Sequence, residues 1–160
     1  MKRDLENVYW THRQGLYTLA LAITRCPSLA EDAVQDAFTR LWRSNVRPRS
    51  QLVPYVFAAV RNAALDQARA RHREAPLPAS IYNGRPGPSD NPALDADDQR
   101  RLRDAVDRLP DRERETLVLK VYADLTFEQV ADVLDEPLGT VAARYRRALD
   151  RLCERMHTLP

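Results

Sequence analysis

Apolar residues recur at the three- and four-residue spacing of an α-helix along the first part of the chain. The first run ends at Cys26-Pro27, because proline cannot continue a helix. Ser28 then predicts an N-cap with Glu31 as its capping-box partner, and Pro54 suits the first turn of a third helix that reaches about Arg73. The residues expected to face inward are Leu5, Val8, Tyr9, Leu16, Leu19, Ala20 and Ile23 in the first helix, Ala30, Ala33, Val34, Ala37, Phe38, Leu41 and Trp42 in the second, and Val56, Ala59, Val60, Ala63 and Gln67 in the third.

The last part of the chain predicts four more helices, the final two in a helix-turn-helix pattern. A short helix precedes one that opens at Pro110-Asp111. Thr126, with Gln129 as its partner, caps a brief helix that ends at Leu134. A tight break then precedes a long basic helix. The inward stripe expected in the long helix is Val141, Tyr145, Ala148, Leu149, Leu152 and Met156.

Proline and glycine separate these two helical parts. Residues 75–97 hold five of the 11 prolines and two of the four glycines, which is typical of a linker. The one turn signal typical of a hairpin, Asn83-Gly84, has no alternating apolar runs beside it. The sequence therefore predicts an all-α protein with two small helical domains, residues 1–74 and 98–160, joined by a Pro/Gly-rich linker at 75–97.

Charge is unevenly distributed along the 160 residues, although the net charge is only +2. Residues 1–74 carry 12 basic and 7 acidic side chains, whereas 98–160 carry 12 and 13, with the basic ones concentrated in the final helix. Two cysteines without a CxxC motif do not indicate a disulfide framework, and the most apolar stretch, Leu16 to Ile23, is too short to span a bilayer. We expect a cytoplasmic protein with no membrane insertion.

Residues suited to catalysis are scattered. His12, His72 and His157 lie far apart, and Cys153 with His157 supplies only two ligands where a zinc site needs more. Acidic pairs on one face of an amphipathic helix, such as that in the second predicted helix, are usually solvated, and no Gly-rich phosphate loop occurs. The sequence predicts no enzyme activity, no catalytic residue, no metal and no cofactor.

The residues of the long final helix suit DNA binding better than catalysis. Its outward face has small residues near the N-terminus, where a recognition helix approaches base edges, followed by arginines that can bond phosphates or guanine edges. A merely solvated basic helix is the alternative interpretation. The outward-facing residues are Thr140, Ala142, Ala143, Arg144, Arg146, Arg147 and Arg151.

The stretch from Leu109 to Leu152 resembles region four of sigma-70-type factors, specifically the extracytoplasmic-function (ECF) sigma factors. Ala30 to Trp42 and Tyr55 to Arg73 resemble region two of the same family, in the same order and across a linker. The resemblance implies a sigma factor that binds core RNA polymerase and directs promoter-specific transcription initiation. Promoter DNA and core polymerase are the implied partners, and an anti-sigma factor is a common one in this family.

The resemblance also implies residue roles. The face implied for polymerase is Asp32, Gln35, Asp36, Thr39, Arg40 and Arg43. The helix implied to hold the opened −10 strand contributes Tyr55, Phe57, Arg61, Asn62, Asp66 and Arg69. Thr126 joins the outward residues of the final helix at the −35 element. The chain departs from the family pattern at Ala142 and Ala143, where many relatives have lysine and serine, at Tyr55, where tryptophan is usual, and at Asp135, where glycine is common.

Two other functions fit the same sequence. A stand-alone helix-turn-helix regulator would bind duplex DNA without polymerase, and a sigma-like adaptor would bind polymerase without DNA. The sigma hypothesis requires the polymerase to hold the domains apart, since a flexible 23-residue linker spans roughly 25–30 Å whereas sites one to two DNA turns apart lie ~34–70 Å from each other.

Overall fold

The computed structural model describes residues 2–44, 47–48, 51–74 and 95–158, and in these ranges it contains helices and no strand. The helices are α1 (Lys2–Thr24), α2 (Pro27–Arg43), α3 (Leu52–Glu74), α4 (Ala96–Asp107), α5 (Asp111–Val121), α6 (Phe127–Leu134) and α7 (Leu138–Thr158). The all-α prediction is confirmed. No helix in the described ranges combines the length and apolar character that crossing a bilayer requires.

Most of the predicted linker lies outside the described residues, but its last positions differ from expectation. Helix α4 begins at Ala96. The Asp95 carboxylate caps it by accepting a 2.7 Å hydrogen bond from the backbone N–H of Asp98. An aspartate at the N-cap satisfies a donor that the first helical turn leaves free, which is why the helix starts inside the predicted linker.

Local capping signals explain the other helix ends. The Thr126–Gln129 capping box is confirmed. The backbone nitrogen of Gln129 lies 3.1 Å from the Thr126 hydroxyl oxygen, and the backbone nitrogen of Thr126 lies 3.0 Å from the Gln129 side-chain oxygen. Asp135 ends α6 in the left-handed conformation at φ 53°, the conformation that glycine adopts most readily. The predicted N-cap at Ser28 is wrong: Cys26 is the N-cap and Pro27 takes the first helical position, since its fixed φ suits that position and its missing N–H costs nothing there.

The first module, α1 to α3, packs the predicted stripes into a common core. Leu16, Leu19, Ala30 and Val60 are fully buried there. Two residues predicted to face inward are instead partly exposed: Trp42, on the last turn of α2, is 41% exposed, and Leu149 on α7 is 37% exposed. The Lys2 ammonium lies 5.1 Å from the centre of the Trp42 ring, which gives that surface aromatic a cation–π contact.

The second module, α4 to α7, has only a small core of its own. That core contains Ala105, Val106, Leu109, Leu117, Ala148 and Leu152. The other buried apolar residues of this module belong to one continuous cluster with the first module; they are Val118, Leu119, Ala123, Leu125, Val130, Val133, Leu134 and Val141. The two modules therefore share a hydrophobic core instead of standing apart, as a loose tether would allow.

A glycine in the middle of α1 allows this close approach. A Cβ atom on Gly15 would lie 2.9 Å from the backbone Cα of Ala123 and 3.1 Å from its Cβ. Glycine inside a helix costs roughly 0.5–1 kcal/mol relative to alanine. Here the missing side chain makes room for the backbone that connects α5 to α6, so this position serves contact between the modules.

Arg114 on α5 also holds the two modules together. Its guanidinium, almost fully buried, donates to the backbone oxygens of Ala22 (3.2 Å), Asp107 (3.0 Å) and Leu109 (3.0 Å) and to the Asp111 carboxylate (2.6 Å). Ala22 lies in the last turn of α1, where carbonyls lack helical partners and favour a cation. Arg114 thus caps a helix of the first module from within the second.

Candidate nucleic-acid and polymerase interfaces

The N-terminal half of α7 presents an exposed face of small residues and arginines. Thr140, Ala143, Arg146 and Arg147 are exposed, while Val141 on the opposite side is fully buried. Ala142 is half-buried. Neither Arg146 nor Arg147 makes an ion pair with any of the described residues, and both side chains are exposed.

Arg144, predicted to belong to the same face, is held elsewhere. One of its guanidinium nitrogens lies 2.6 Å from a carboxylate oxygen of Glu136, and only 13% of the side chain is exposed. The other oxygen of Glu136 accepts a 3.2 Å hydrogen bond from Arg112 on α5. The Arg144 hydrogen bond, aided by the charges of Arg144 and Arg112, holds the pKa of Glu136 below its ordinary value against the opposing effect of burial.

Two further predicted −35 residues occupy the borders of this surface. Thr126 is exposed at the N-cap of α6, where its hydroxyl accepts the Gln129 N–H. Arg151 keeps about half of its side chain exposed, and its Nε lies 3.0 Å from the buried carboxylate of Glu113. The glutamate thus anchors Arg151 beside α5 while leaving part of the guanidinium accessible.

The residues predicted for the −10 strand divide along α3. Asn62, Asp66 and Arg69 are exposed. A guanidinium nitrogen of Arg69 lies 3.9 Å from a carboxylate oxygen of Asp66. Phe57 is completely buried in the shared core and Tyr55 is half-buried. In this arrangement only the C-terminal part of the predicted set faces solvent.

Arg61 is the charged residue of that set that lies between the modules. Its Nε donates a 3.1 Å hydrogen bond to Glu115 on α5, and the side chains of Arg61 and Glu115 are only 11% and 6% exposed. The Arg61 charge also contributes to the lowered pKa of Glu136. Arg61–Glu115 is therefore the ion pair between the modules, and Glu136 with Arg112 and Arg144 forms a neighbouring charged group within the second module.

The face of α2 predicted for polymerase is open to solvent along its whole length. All of its members are exposed: Asp32, Gln35, Asp36, Thr39, Arg40 and Arg43. The acidic residues lie in its first half and the arginines in its second. The Asp36 carboxylate accepts a 3.3 Å hydrogen bond from the Gln67 amide of α3, so a neighbouring helix orients part of this face.

A half-buried carboxyl at the end of α4 makes stability depend on pH. Burial raises the pKa of Asp107 from 3.8 to about 6, while the nearby charges of Arg114 and Arg25 oppose the rise. One of its carboxylate oxygens is buried without a hydrogen-bond partner in the described part of the chain. Between pH 4 and 6 the folded protein therefore retains a proton that the unfolded chain releases, and the free energy of unfolding falls as the pH rises.

We expect Asp107→Asn to raise the free energy of unfolding by about 1 kcal/mol at pH 8, because asparagine cannot ionise; the figure allows for solvent screening at this half-exposed position. The difference should shrink as the pH falls from 6 to 4, where the wild-type carboxyl is protonated. Urea unfolding monitored by circular dichroism at both pH values measures it. A gain of equal size at pH 4 and pH 8 would contradict the assignment.

Three residues of the interfaces were missed by the sequence reasoning. Gly15 carried a detectable signal, since a glycine inside an amphipathic helix indicates a close approach. Glu136 directly follows the left-handed residue of the turn, but nothing in the local pattern indicated its arginine partners. Glu115 carried no signal, because its partner Arg61 is 54 positions away. No group of three or more metal-ligating side chains converges in the ranges the structure describes.

Comparison with known proteins agrees with the two-module architecture. Residues 8–74 match the model of sigma-70 region 2, and residues 99–152 match that of sigma-70 region 4. An ECF RNA polymerase sigma factor, RpoE of Cereibacter sphaeroides, is 30% identical over 134 residues, covering 81% of this chain and 73% of that protein. An ECF sigma factor SigK of Mycolicibacterium vanbaalenii is 29% identical over 152 residues, covering 88% and 75%.

A solved structure shares the fold over almost the whole chain. It is the sigma factor RpoE of Bartonella quintana in complex with the anti-sigma factor NepR, with a TM-score of 0.75 and 24% identity, covering 99% of this chain and 98% of that one. Fold and matches together define a two-module transcription initiation protein. The chain belongs to the sigma-70 family, in its ECF group.

Proposed function

We propose that this sigma factor docks on core RNA polymerase through the exposed face of α2, from Asp32 to Arg43. The observation that supports this role is a fully solvated helix face with acidic and basic halves, which suits a partner of complementary charge. The polymerase then holds the two modules at the spacing of the promoter elements. Promoter-specific initiation is the resulting activity.

The single strand of the −10 element is proposed to bind along α3. Arg61 and Arg69 track the strand backbone, Asn62 offers an amide to base edges, and Asp66 orients Arg69. Tyr55, once accessible, stacks against an unpaired base, a contact worth ~1–3 kcal/mol. Phe57 lies in the core and contacts no DNA in this proposal.

The −35 duplex is proposed to bind the exposed face of α7. Arg146 and Arg147 supply the charged contacts, while Thr140, Ala142 and Ala143 lie against the major groove, where an alanine methyl suits a thymine methyl. Thr126 and Arg151 reach phosphates at the borders. Arg144 is assigned to the support of the helix instead, because Glu136 already binds its guanidinium.

The proposal gives the nucleotide chemistry to the polymerase and none to this chain. The family consists of non-catalytic regulators, and the protein is expected wherever the polymerase acts, in the cytoplasm. An anti-sigma factor is a further expected partner, since the structurally similar Bartonella protein was solved with one.

Run-off transcription tests the proposed function. Purified protein is added to core RNA polymerase of the source organism on a library of upstream sequences, and the transcripts are sequenced. We expect transcripts only when both components are present, all starting at a fixed distance from a shared pair of elements. Duplex binding by the protein alone together with no promoter-dependent transcript would favour a stand-alone regulator and contradict the proposal.

A further inference from the structure

A cleft of about 750 Å³ opens where the C-terminal ends of α1 and α3 lie beside the N-terminal end of α5. Its apolar lining consists of Ile23, Leu65 and Ala68, each of which is only half-buried. Small-molecule sites in proteins are typically concave, mostly apolar and about 300–1,000 Å³ in volume. The cleft therefore has the size and the apolar surface of a ligand site.

Three arginines also line this cleft. Arg25 directly follows α1, and Arg69 and Arg73 lie about one turn apart near the end of α3. Within the described part of the chain, neither Arg25 nor Arg73 forms an ion pair. Arg69 has only the exposed carboxylate of Asp66, 3.9 Å away, and surface pairs of this kind are weak. The three guanidinium groups therefore retain donors for an anion.

The two carboxylates that line the cleft are already bound by other arginines. Asp111 accepts a 2.6 Å hydrogen bond from Arg114, and Glu115 accepts a 3.1 Å hydrogen bond from Arg61. A carboxylate whose charge is balanced by its own arginine repels a bound anion only weakly. The charge that remains in the cleft is therefore positive.

Arg25 has a backbone conformation that arginine rarely adopts. Its φ of 57° lies in the left-handed region, directly after the last residue of α1. Glycine is the usual residue at this position, because a Cβ atom is strained there. One of its guanidinium nitrogens lies 3.3 Å from the backbone oxygen of Asp107, which directs the side chain away from α1. A function of the side chain would explain why arginine is tolerated here.

We propose that this cleft binds a nucleoside polyphosphate, with its phosphates on Arg25, Arg69 and Arg73 and its base against the apolar lining. Hydrogen bonds between guanidinium and phosphate are charge-assisted and often bidentate, so three arginines suit a ligand with several phosphates. A planar base removes the exposed apolar surface of the cleft from water. Binding at this site requires neither polymerase nor promoter DNA.

Arg25→Gly is the sharpest test, because glycine removes one cation from the cleft and relieves the backbone strain at the same position. We expect this variant to bind ATP at least about tenfold more weakly than wild type, as the loss of one charge-assisted hydrogen bond predicts. Without ligand, its melting temperature should equal or exceed that of wild type. General damage to the fold would lower the melting temperature instead.

Two further variants separate shape from charge. Ala68→Leu fills part of the cleft without changing any charge, and it should also weaken ATP binding. Arg3→Ala is the matched control, since it removes one exposed cation at the opposite end of α1. It should leave ATP binding unchanged.

The full-length proteins are titrated with ATP by isothermal titration calorimetry, in buffer of physiological ionic strength without divalent cations. Adenosine and pyrophosphate, each one part of the same ligand, are titrated in parallel. We expect one ATP per chain and at least about tenfold weaker binding of either part alone. At an ATP concentration of about 100 times Kd, the melting temperature of wild type should rise by about 5 °C or more.

Absence of saturable ATP binding to wild type at millimolar concentration would overturn the inference. Equal affinity in wild type and Arg25→Gly would overturn it as well, and so would an equal loss in Arg3→Ala, which would reduce binding to net charge. Adenosine binding as tight as that of ATP would exclude a phosphate site. If Arg25→Gly fails to fold, Ala68→Leu decides by the same titration.

A single strand of DNA is the other polyanion that this surface could contact, because Arg69 also belongs to the proposed −10 face. A labelled random-sequence strand of about 15 nucleotides is therefore titrated against the same variants. If Ala68→Leu and Arg25→Gly weaken strand binding as much as ATP binding, the cleft is part of the DNA surface and the inference is wrong. Failure of the proposed function appears separately, as absence of promoter-directed transcripts from the wild-type protein with polymerase.

Discussion

A chain carrying Asp32→Arg and Asp36→Arg is expected to lose association with core RNA polymerase while retaining its helix content. Both carboxylates are exposed on the same half of α2, so their reversal places four units of changed charge on the proposed docking face. Like charges brought together at an interface cost several kcal/mol. We expect affinity to fall by at least about 100-fold, which corresponds to about 2.7 kcal/mol.

The measurement is co-purification of the variant with tagged core polymerase, followed by a titration of the labelled protein. Asp104→Arg with Asp150→Arg is the matched control, because it makes the same charge change at two exposed carboxylates on α4 and α7. Circular dichroism checks that both variants fold. If both variants lost polymerase association equally, the effect would come from net charge alone. If both retained it equally, this face of α2 would not be the docking site.

Replacement of Arg146 and Arg147 by alanine is expected to weaken duplex binding about 30-fold at about 0.15 M salt, the loss that two phosphate contacts give through counterion release. It should also change the salt dependence. Each phosphate contact contributes about 0.9 to the slope of log affinity against log salt concentration, so the slope should fall by about 1.8 if both arginines bind phosphate. A random-sequence duplex of about 25 base pairs suffices, because phosphate contacts carry no sequence information.

Arg144→Ala is the comparison that separates DNA contact from structural support. Glu136 binds the Arg144 guanidinium at 2.6 Å. Removal of the Arg144 side chain should therefore leave the slope of log affinity against log salt concentration unchanged, while lowering the free energy of unfolding. Removal of one partner from a buried ion pair leaves the other charge uncompensated, and Arg112 compensates Glu136 only in part. If the slope of log affinity against log salt concentration fell by about 0.9 in Arg144→Ala, Arg144 would contact a phosphate and belong to the DNA-binding face.

The helices and their ends could be predicted because they depend on residues three or four positions apart. The Thr126–Gln129 capping box and the exposed outer face of α2 both follow from such spacing. The error at Ser28 has the same local origin. Two neighbouring signals competed there, and proline at the first helical position prevailed over the capping box.

The sequence by itself determined an all-helical chain of two modules, the resemblance to sigma factors, and which helix faces are polar. Only the tertiary structure decided that the modules share a core, that Glu115 holds Arg61, and that Arg144 turns away from the exposed face of α7. Helix periodicity is a property of neighbours along the chain. The choice between solvent, DNA and a carboxylate 54 positions away is made by which surfaces fit together, and Gly15 allows this fit because it has no side chain.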